Sequence, residues 1–357
     1  MIILFLICLV ALVVFLERNW ADLCLDKLRY RFTRDITLAE PDQIITLTSS
    51  VENRWFLPIL YVRLVEYLPK DTTVHEAADW LEDHYHISPI GKQYVEESFY
   101  LLPRRRRTGT MRISLPRRGG YRLGETTLTT GDFLGLKDTS QRLNATADVV
   151  VIPRRCEDID VLQTLGGFMG DISVRRFILE DPILTVGFRE YTGREPMKSI
   201  SWTQSARANR LLVKQYDYTV DATVTVLLNA EDGTEAQLEQ CFSIARTVCE
   251  ELEKKGIPYD FRTNGDLIGP LGPLRRVNEG LGHQHLNTIL YALGRASCMC
   301  YGTLEKLADL TLRSARPNQS YIVITPSLTP ARDQLLNRLR AVSDGQVCVL
   351  TAKEVSA

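Results

Sequence analysis

Hydrophobic spacing divides the chain into three stretches. Met1 to Leu16 is apolar without interruption. From about Arg34 to Pro153, short runs alternate apolar and polar side chains, the period of two that predicts half-buried strands. Gln43–Thr48 and Ile59–Leu68 follow this pattern, the latter with Arg63 and Glu66 set among apolar residues. Gly109–Leu115, Tyr121–Thr129 and Asp148–Ile152 do the same, and Pro103, Pro116, Gly119-Gly120, Gly124 and Gly131-Asp132 punctuate them. Several short strands with regular turn signals imply a sandwich. Ala77–His84 is predicted as a short helix in an insertion.

The third stretch alternates strands with helices. Asp221–Asn229 begins with alternating valine and threonine and becomes fully apolar at Val226-Leu227-Leu228, which suits a central buried strand. Leu238, Phe242, Ala245, Val248 and Leu252 recur at helical spacing after it. A strand at Ile257–Arg262 and helices through Leu286–Leu293 and Leu304–Leu310 come next. Strand Ser320–Thr325, helix Ala331–Val342 ended by Gly345, and strand Gln346–Thr351 complete the pattern. Such alternation predicts right-handed crossovers and a mostly parallel sheet, with ligands beyond the carboxyl ends of its strands. That directs attention to Asn229–Gly233 and to Pro326-Ser327.

The leading run spans roughly 24 Å as a helix, slightly short of a hydrocarbon core of about 30 Å. It lacks the basic start and small-residue cleavage site of a signal peptide, and Trp20 suits a membrane interface. Arg18, Lys27, Arg29, Arg31 and Arg34 follow it; the positive-inside rule then places the rest of the chain in the cytoplasm. The expected fold is therefore α+β and multidomain. It has a transmembrane anchor over residues 1–20, a juxtamembrane linker over 21–33 and a β-sandwich over 34–155. A connecting segment over 156–218 then leads to an α/β domain over 219–357.

Composition narrows the function classes. The 357 residues are 45% hydrophobic and 24% charged, so a folded chain is expected. A formal charge of −1 argues against a dedicated nucleic-acid binder. The arginines at 104–107, 112, 117, 118 and 122 form a basic cluster. They are read first as solvated strand edges and second as contacts to anionic lipid. Eight cysteines without a C-x-x-C pair fit reduced intracellular thiols; Cys298-Met299-Cys300 lacks the partners a structural zinc needs.

The densest motif is Gly187-Phe-Arg-Glu-Tyr191, then Ser199-Ile-Ser-Trp-Thr-Gln-Ser-Ala-Arg207, then Leu212-Val-Lys214. Arg117-Arg-Gly-Gly-Tyr121, Gly131-Asp-Phe-Leu-Gly135 and Val151-Ile-Pro-Arg154 precede it. In this order the motifs resemble a bacterial membrane-associated family, domain of unknown function fifty-eight. Its hallmarks are an Arg-x-Tyr, a Gly-Asp turn, an Ile-x-Trp, a Ser/Thr-Ala-Arg and a Val-Lys/Arg. The resemblance covers most of the chain after about Arg117. It implies a β-rich domain, a von Willebrand A-like α/β domain and a MoxR-type AAA+ ATPase, or another membrane-complex protein, as partner. The chain departs from that family in having one apolar run where a pair is common, Gly193-Arg-Glu195 at the usual Gly-Asp turn, and Ser201 where an acid is common.

Candidate partner-binding residues are Arg189, Glu190, Tyr191, Trp202, Ser205, Arg207 and Lys214. One reading makes Trp202 a packing anchor and gathers Arg189, Arg207 and Lys214 into an ionic network on Glu190 and Asp217. The other makes Arg189, Tyr191, Trp202 and Arg207 an interface, because Trp, Tyr and Arg favour that role. A magnesium-binding von Willebrand A domain presents Asp-x-Ser-x-Ser. Here Asn229, Glu231 and Gly233 stand in its place, a degenerate site without the leading carboxylate or the hydroxyl. No metal or cofactor is predicted, and no G-x-S-x-G, H-E-x-x-H or P-loop occurs. The expected function is a non-enzymatic membrane-anchored scaffold or adaptor. The alternatives are an envelope-facing adhesion protein and a cryptic hydrolase using Ser205 or the Glu231-Asp232 loop.

Overall fold

A computed structural model describes residues 20–132, 137–178, 185–193, 195–216, 223–315, 319–342 and 346–352. The chain forms two units, Met1–Arg154 and Arg155–Ala357.

The first unit begins with helical residues 20–27 (α1) and β1 (Leu28–Arg34). Then come β2 (Leu38–Ala39), β3 (Ile45–Asn53), β4 (Ile59–Leu68), β5 (Thr73–Val74), α2 (Ala78–His84) and β6 (Tyr85–Ile87). Four longer strands complete it: β7 (Gln93–Leu101), β8 (Arg106–Ser114), β9 (Gly119–Gly131) and β10 (Asp138–Val151). One sheet runs β1-β3-β8-β5, the other β2-β10-β9-β4-β7-β6; every pairing is antiparallel except β2 with β10. Alternation puts one side of each strand inside. Ile45, Leu47, Met111 and Ile113 of the first sheet meet Leu68, Val95, Leu123, Val149 and Val151 of the second. Gly124 sits beside the bulge between Asn144 and Ala147 with φ +88, and a Cβ there would lie 2.6 Å from the Ala145 carbonyl oxygen. Only glycine fits that turn of the backbone.

One polar intruder in this core is Glu66. Its inward place on β4 follows from register, and it is buried. The Tyr30 hydroxyl donates to its Oε1 at 2.8 Å, and Thr126 Oγ1 donates to the Tyr30 oxygen at 3.0 Å. Burial is the largest influence and raises the carboxyl pKa against the lowering by Tyr30 and Ser49; nearby Glu97 adds to the rise.

The N-terminal expectation needs correction. The anchor over residues 1–20 falls almost wholly outside the described residues, and among those described no helix is long and apolar enough to cross a membrane. Trp20, expected at a membrane interface, packs its ring 5.1 Å from that of Trp55. Ala21 and Cys24 are fully buried, and Thr130 Oγ1 donates to the Ala21 carbonyl at 2.8 Å. Residues 21–33 are likewise no linker. They supply α1 and most of β1, which pairs with β3 from Leu28↔Asn53 to Arg34↔Leu47.

The second unit opens with α3 (Ile159–Ile178), β11 (Thr185–Glu190), α4 (Trp202–Ala208) and β12 (Leu212–Tyr216). Next come β13 (Val224–Leu228), α5 (Glu235–Lys254), β14 (Tyr259–Thr263), β15 (Ile268–Gly269), β16 (Gly272–Pro273) and β17 (Arg276–Gly280). The remainder is α6 (His283–Gly294), α7 (Leu304–Leu312), β18 (Ser320–Thr325), α8 (Pro330–Val342) and β19 (Val347–Thr351). A five-stranded sheet has the order β17-β14-β13-β18-β19. Val224, Val226 and Leu228 face one apolar cluster with residues of α3, α5 and α6. Leu227 faces another with residues of α7 and α8. Thr234 and Gln237 form a reciprocal capping box at the start of α5, a device worth about 1 kcal/mol.

The expected von Willebrand A-like domain with a mostly parallel sheet is also overturned. The described residues are strand-rich and form five sheets, several of them wholly antiparallel. The five-stranded sheet of the second unit is mixed: β14, β13, β18 and β19 pair parallel, and β17 runs antiparallel against β14. Residues 156–218 are more than a connection: Val161, Leu165, Met169 and Ile172 of α3 recur at helical spacing and enter the core.

Two expected outcomes test the cores. Glu66 is protonated more readily in the folded state, so its contribution is complete below the ordinary glutamate range and is lost as pH rises through the raised folded value. Stability of the wild type should fall over that window, and Glu66→Gln should flatten the fall; parallel denaturation-versus-pH curves for the two would refute it. In the second unit the Arg262 guanidinium meets Asp260 at 2.7 Å, both side chains being buried, and donates to Ser314 Oγ at 2.7 Å. Asp260→Ala should cost about 3–5 kcal/mol, while Asp260→Leu combined with Arg262→Met should cost much less, since no unpaired buried charge remains. Urea unfolding of both variants checks this.

Candidate docking element and sheet crest

The motif folds as an excursion. β11 and β12 pair antiparallel, with Arg189 opposite Val213 and Glu190 opposite Leu212. Between them lie a 3-10 turn, Met197–Ser199, and α4. The Tyr191 amide donates to Leu211 and the Ser201 amide to Leu212, at 3.0 and 2.9 Å. Ser205 is the buried residue of α4; its Oγ accepts from the Leu212 amide at 2.9 Å and donates to the Leu212 carbonyl at 3.4 Å. Asn209, left-handed at φ 51, ends the helix. Glu195 accepts from the Thr192 amide and hydroxyl and pairs with Arg189. Burial pulls its carboxyl pKa upward, but the bonds from Thr192 and Arg189 prevail and hold it at about 2.

This geometry rearranges the expected roles. Trp202 does not pack against the sheet; it is 60% exposed. Arg189 pairs with Glu195, and Glu190 pairs with Arg210. Arg207 is exposed and Lys214 half-buried, without ion pairs among the described residues. Asp217 lies outside the described residues. The expected ionic network is thus replaced by two separate pairs, because alternate residues of β11 leave on opposite sides. Sequence reasoning missed Phe188, Met197 and Leu211, which are 42%, 67% and 45% exposed. Their signal was large apolar side chains outside any core periodicity.

The crest of the mixed sheet is wired by amides. β13 lies between β14 and β18, so the chain leaves it on one side and returns on the other, where ligand sites commonly form. Asn229, just beyond β13, is buried; its Oδ1 accepts from Asn264 Nδ2 at 2.7 Å and from the Glu231 amide at 3.1 Å. Its Nδ2 donates to Thr325 Oγ1 at 3.0 Å. Glu231 Oε2 accepts from the Leu304 amide at 2.8 Å, at the start of α7. Gly233 is no lost hydroxyl ligand: a Cβ there would lie 2.8 Å from both Leu238 and Pro326.

A cation is already built into the crest. The buried Arg332 guanidinium donates to Ser327 O and Oγ at 2.9 Å, to Glu231 O at 3.2 Å and to Asp232 Oδ2 at 3.1 Å. Asp232 takes a left-handed φ of 57 to present its carboxylate. Beside it is a cleft of about 250 Å³ lined by Glu231, Asp232, Thr303, Glu305, Thr329 and Arg332. Among the described residues no three His, Cys, Asp or Glu side chains are grouped to hold a metal ion.

Other candidate chemistry is dispersed. The basic cluster is divided among acids: Arg106 meets Glu52, Arg107 meets Glu97, Arg112 meets Glu76 and Arg122 meets Asp148. Arg107 also covers the Phe99 ring at 4.7 Å. His84 closes α2, and His86 lies in β6. Burial raises the thiols of Cys241 and Cys348 to about 12.

No family model matches the chain, and no curated protein does. Among solved structures, the CARDB domain of a Pyrococcus furiosus protein, in complex with di-metal ions, is 15% identical; the match covers 35% of this chain and 87% of that one, with a TM-score of 0.22. The Bacillus subtilis sporulation control protein Spo0M is 12% identical over 46% of this chain and 58% of its own, with a TM-score of 0.19. A Vibrio harveyi exo-β-N-acetylglucosaminidase is 10% identical over 88% of this chain and 60% of its own, with a TM-score of 0.24. At such values these likenesses carry no argument about fold or function.

The crest makes a direct prediction. Arg332→Ala removes a charged donor from two carbonyls, a hydroxyl and a carboxylate, and should destabilise the second unit by about 3 kcal/mol. A melting temperature unchanged from the wild type would refute the structural role of the guanidinium.

Proposed function

We propose that the chain is a non-enzymatic scaffold or adaptor in protein-complex assembly, and that the β11–α4–β12 excursion is its docking element. The observation that carries this reading is the exposure of Trp202, with Phe188, Met197 and Leu211 also exposed in the same short excursion. Arg207 is exposed there too, and Arg189 is held by Glu195. Large apolar and guanidinium groups kept in water are the composition that hot spots favour. The backbone ladder and the Ser205 bonds would keep the element rigid before binding, which reduces the entropic cost of association. The resemblance of the motifs supplies the partner class, a MoxR-type AAA+ ATPase or another protein of a membrane complex.

The test is a binding titration between the full chain and a purified MoxR-type ATPase. Wild type should bind, Trp202→Ala should weaken binding by about tenfold or more, and Arg207→Ala should weaken it less. A complex indifferent to Trp202→Ala, or no complex at all, would overturn the assignment.

A further inference from the structure

The outer face of the second sheet in the first unit carries a groove that the docking reading leaves unused. Along β4, Val62, Leu64, Glu66 and Leu68 point inward, so Arg63, Val65 and Tyr67 point outward. Along β7, Val95 and Phe99 point inward and Tyr94 and Glu96 outward. Register lines these residues up: Tyr67 stands opposite Tyr94, and Val65 opposite Glu96. On the other side Val65 is opposite Thr127, and Thr127 is opposite Arg142. Four adjacent strands therefore build one concave surface, about 340 Å³ in volume, lined by Tyr67, Tyr94, Arg63, Glu96, Glu125 and Arg142 among others.

Three features fix the chemistry of an occupant. First, the aromatic rings are held in place. Tyr67 and Tyr94 lie 6.3 Å apart at an interplanar angle of 52°, and His86 lies 5.5 Å from Tyr94 on its other side. Second, charged groups of both signs flank the rings: Arg63, Lys92 and Arg142 against Glu96 and Glu125, so the sign is nearly balanced. Arg63 meets Glu96 at 2.6 Å, while Glu125 and Arg142 make no ion pair among the described residues. Such balance disfavours polyanions and polycations, whose sites carry one sign of charge. Third, apart from the rings, the apolar lining is Val65 and Ile90. A protein hot spot needs a larger desolvated apolar centre.

We propose that this groove binds an uncharged oligosaccharide. The C–H faces of a pyranose ring suit the amphipathic tyrosine rings, and its vicinal hydroxyls suit the bidentate carboxylate and guanidinium groups. The volume lies in the range of small-molecule sites. A sugar chain would run across the strands, over Tyr94 and Tyr67 toward Arg142.

The experiment is calorimetric titration of the full chain with cello-, xylo-, manno- and chito-hexaose, with heparin as a polyanionic control. At least one neutral hexasaccharide should bind with a dissociation constant below about 1 mM, and Tyr67→Ala should weaken it by about tenfold or more. Tyr67→Phe should retain most of the affinity, which separates stacking from loss of fold. Arg142→Gln, at an exposed site, should weaken binding without lowering the melting temperature. Three outcomes would overturn the proposal: no neutral saccharide bound up to about 10 mM, heparin bound in preference, or binding indifferent to both Tyr67→Ala and Arg142→Gln. None of them bears on the ATPase titration with Trp202→Ala, because the residues differ.

Discussion

The crest of the second unit depends on a side chain that both gives and accepts hydrogen bonds. Asn229 joins three strands through one amide: its oxygen takes a bond from Asn264 beyond β14, and its nitrogen gives one to Thr325 at the end of β18. A carboxylate there could not donate to Thr325 and would add a buried charge needing a counterion. The neutral amide removes that need. A full cation arrives at the crest covalently, on Arg332, and is shared among two carbonyls, a hydroxyl and the Asp232 carboxylate. Asn264 extends the wiring by accepting from the Ala230 amide at 2.8 Å and donating to the Gly302 carbonyl at 3.0 Å. Loops from three strands are thus fixed by neutral bonds, with the cleft beside them.

The first unit solves a different problem. Two sheets facing each other can exclude water from apolar residues, but each added polar group must find its partner inside. Glu66 does so through Tyr30, which Thr126 steadies in turn, so that β4, β1 and β9 are linked by a side-chain chain. Asn53 performs the same service at the rim, where its amide donates to the Leu57 carbonyl at 2.9 Å and accepts from the Trp55 amide at 2.8 Å. By contrast the β11–α4–β12 excursion is small: Ile200, Leu212 and Val213 are buried with Ser201 and Ser205, while Phe188, Met197, Trp202 and Leu211 remain exposed.

Periodicity made some elements legible and concealed others. Ile59–Leu68 was read with the bounds that β4 has, because ten alternating positions leave little room for slippage. Leu28–Arg34 alternates as cleanly, Leu-Arg-Tyr-Arg-Phe-Thr-Arg, yet its arginines invited a juxtamembrane reading. Charge on the outward positions of an edge strand gives the same letters as a basic flank after a membrane span. Only the pairing of β1 with β3 separates the two. In the motif, Trp202 and Ser205 were both visible, but their roles came out inverted: the serine is buried and the tryptophan exposed. Spacing along a two-turn helix sets relative direction and is silent about which side meets solvent.

Local chemistry alone determined the strand-forming alternation of the middle stretch, the apolar run Val226-Leu227-Leu228 of β13, and the absence of a carboxylate at Asn229. These follow from side-chain type and period, which need no knowledge of neighbours in space. Which arginine meets which acid, why Gly233 and Gly124 bear no side chain, and that β17 turns antiparallel at the sheet edge were decided by tertiary structure. Each depends on what stands within a few ångströms across a gap of many residues. The crest shows the difference most plainly. Asn229 could be read as a lost metal ligand from its letters, but its place as the joint of three strands emerged only when Asn264 and Thr325 were brought beside it.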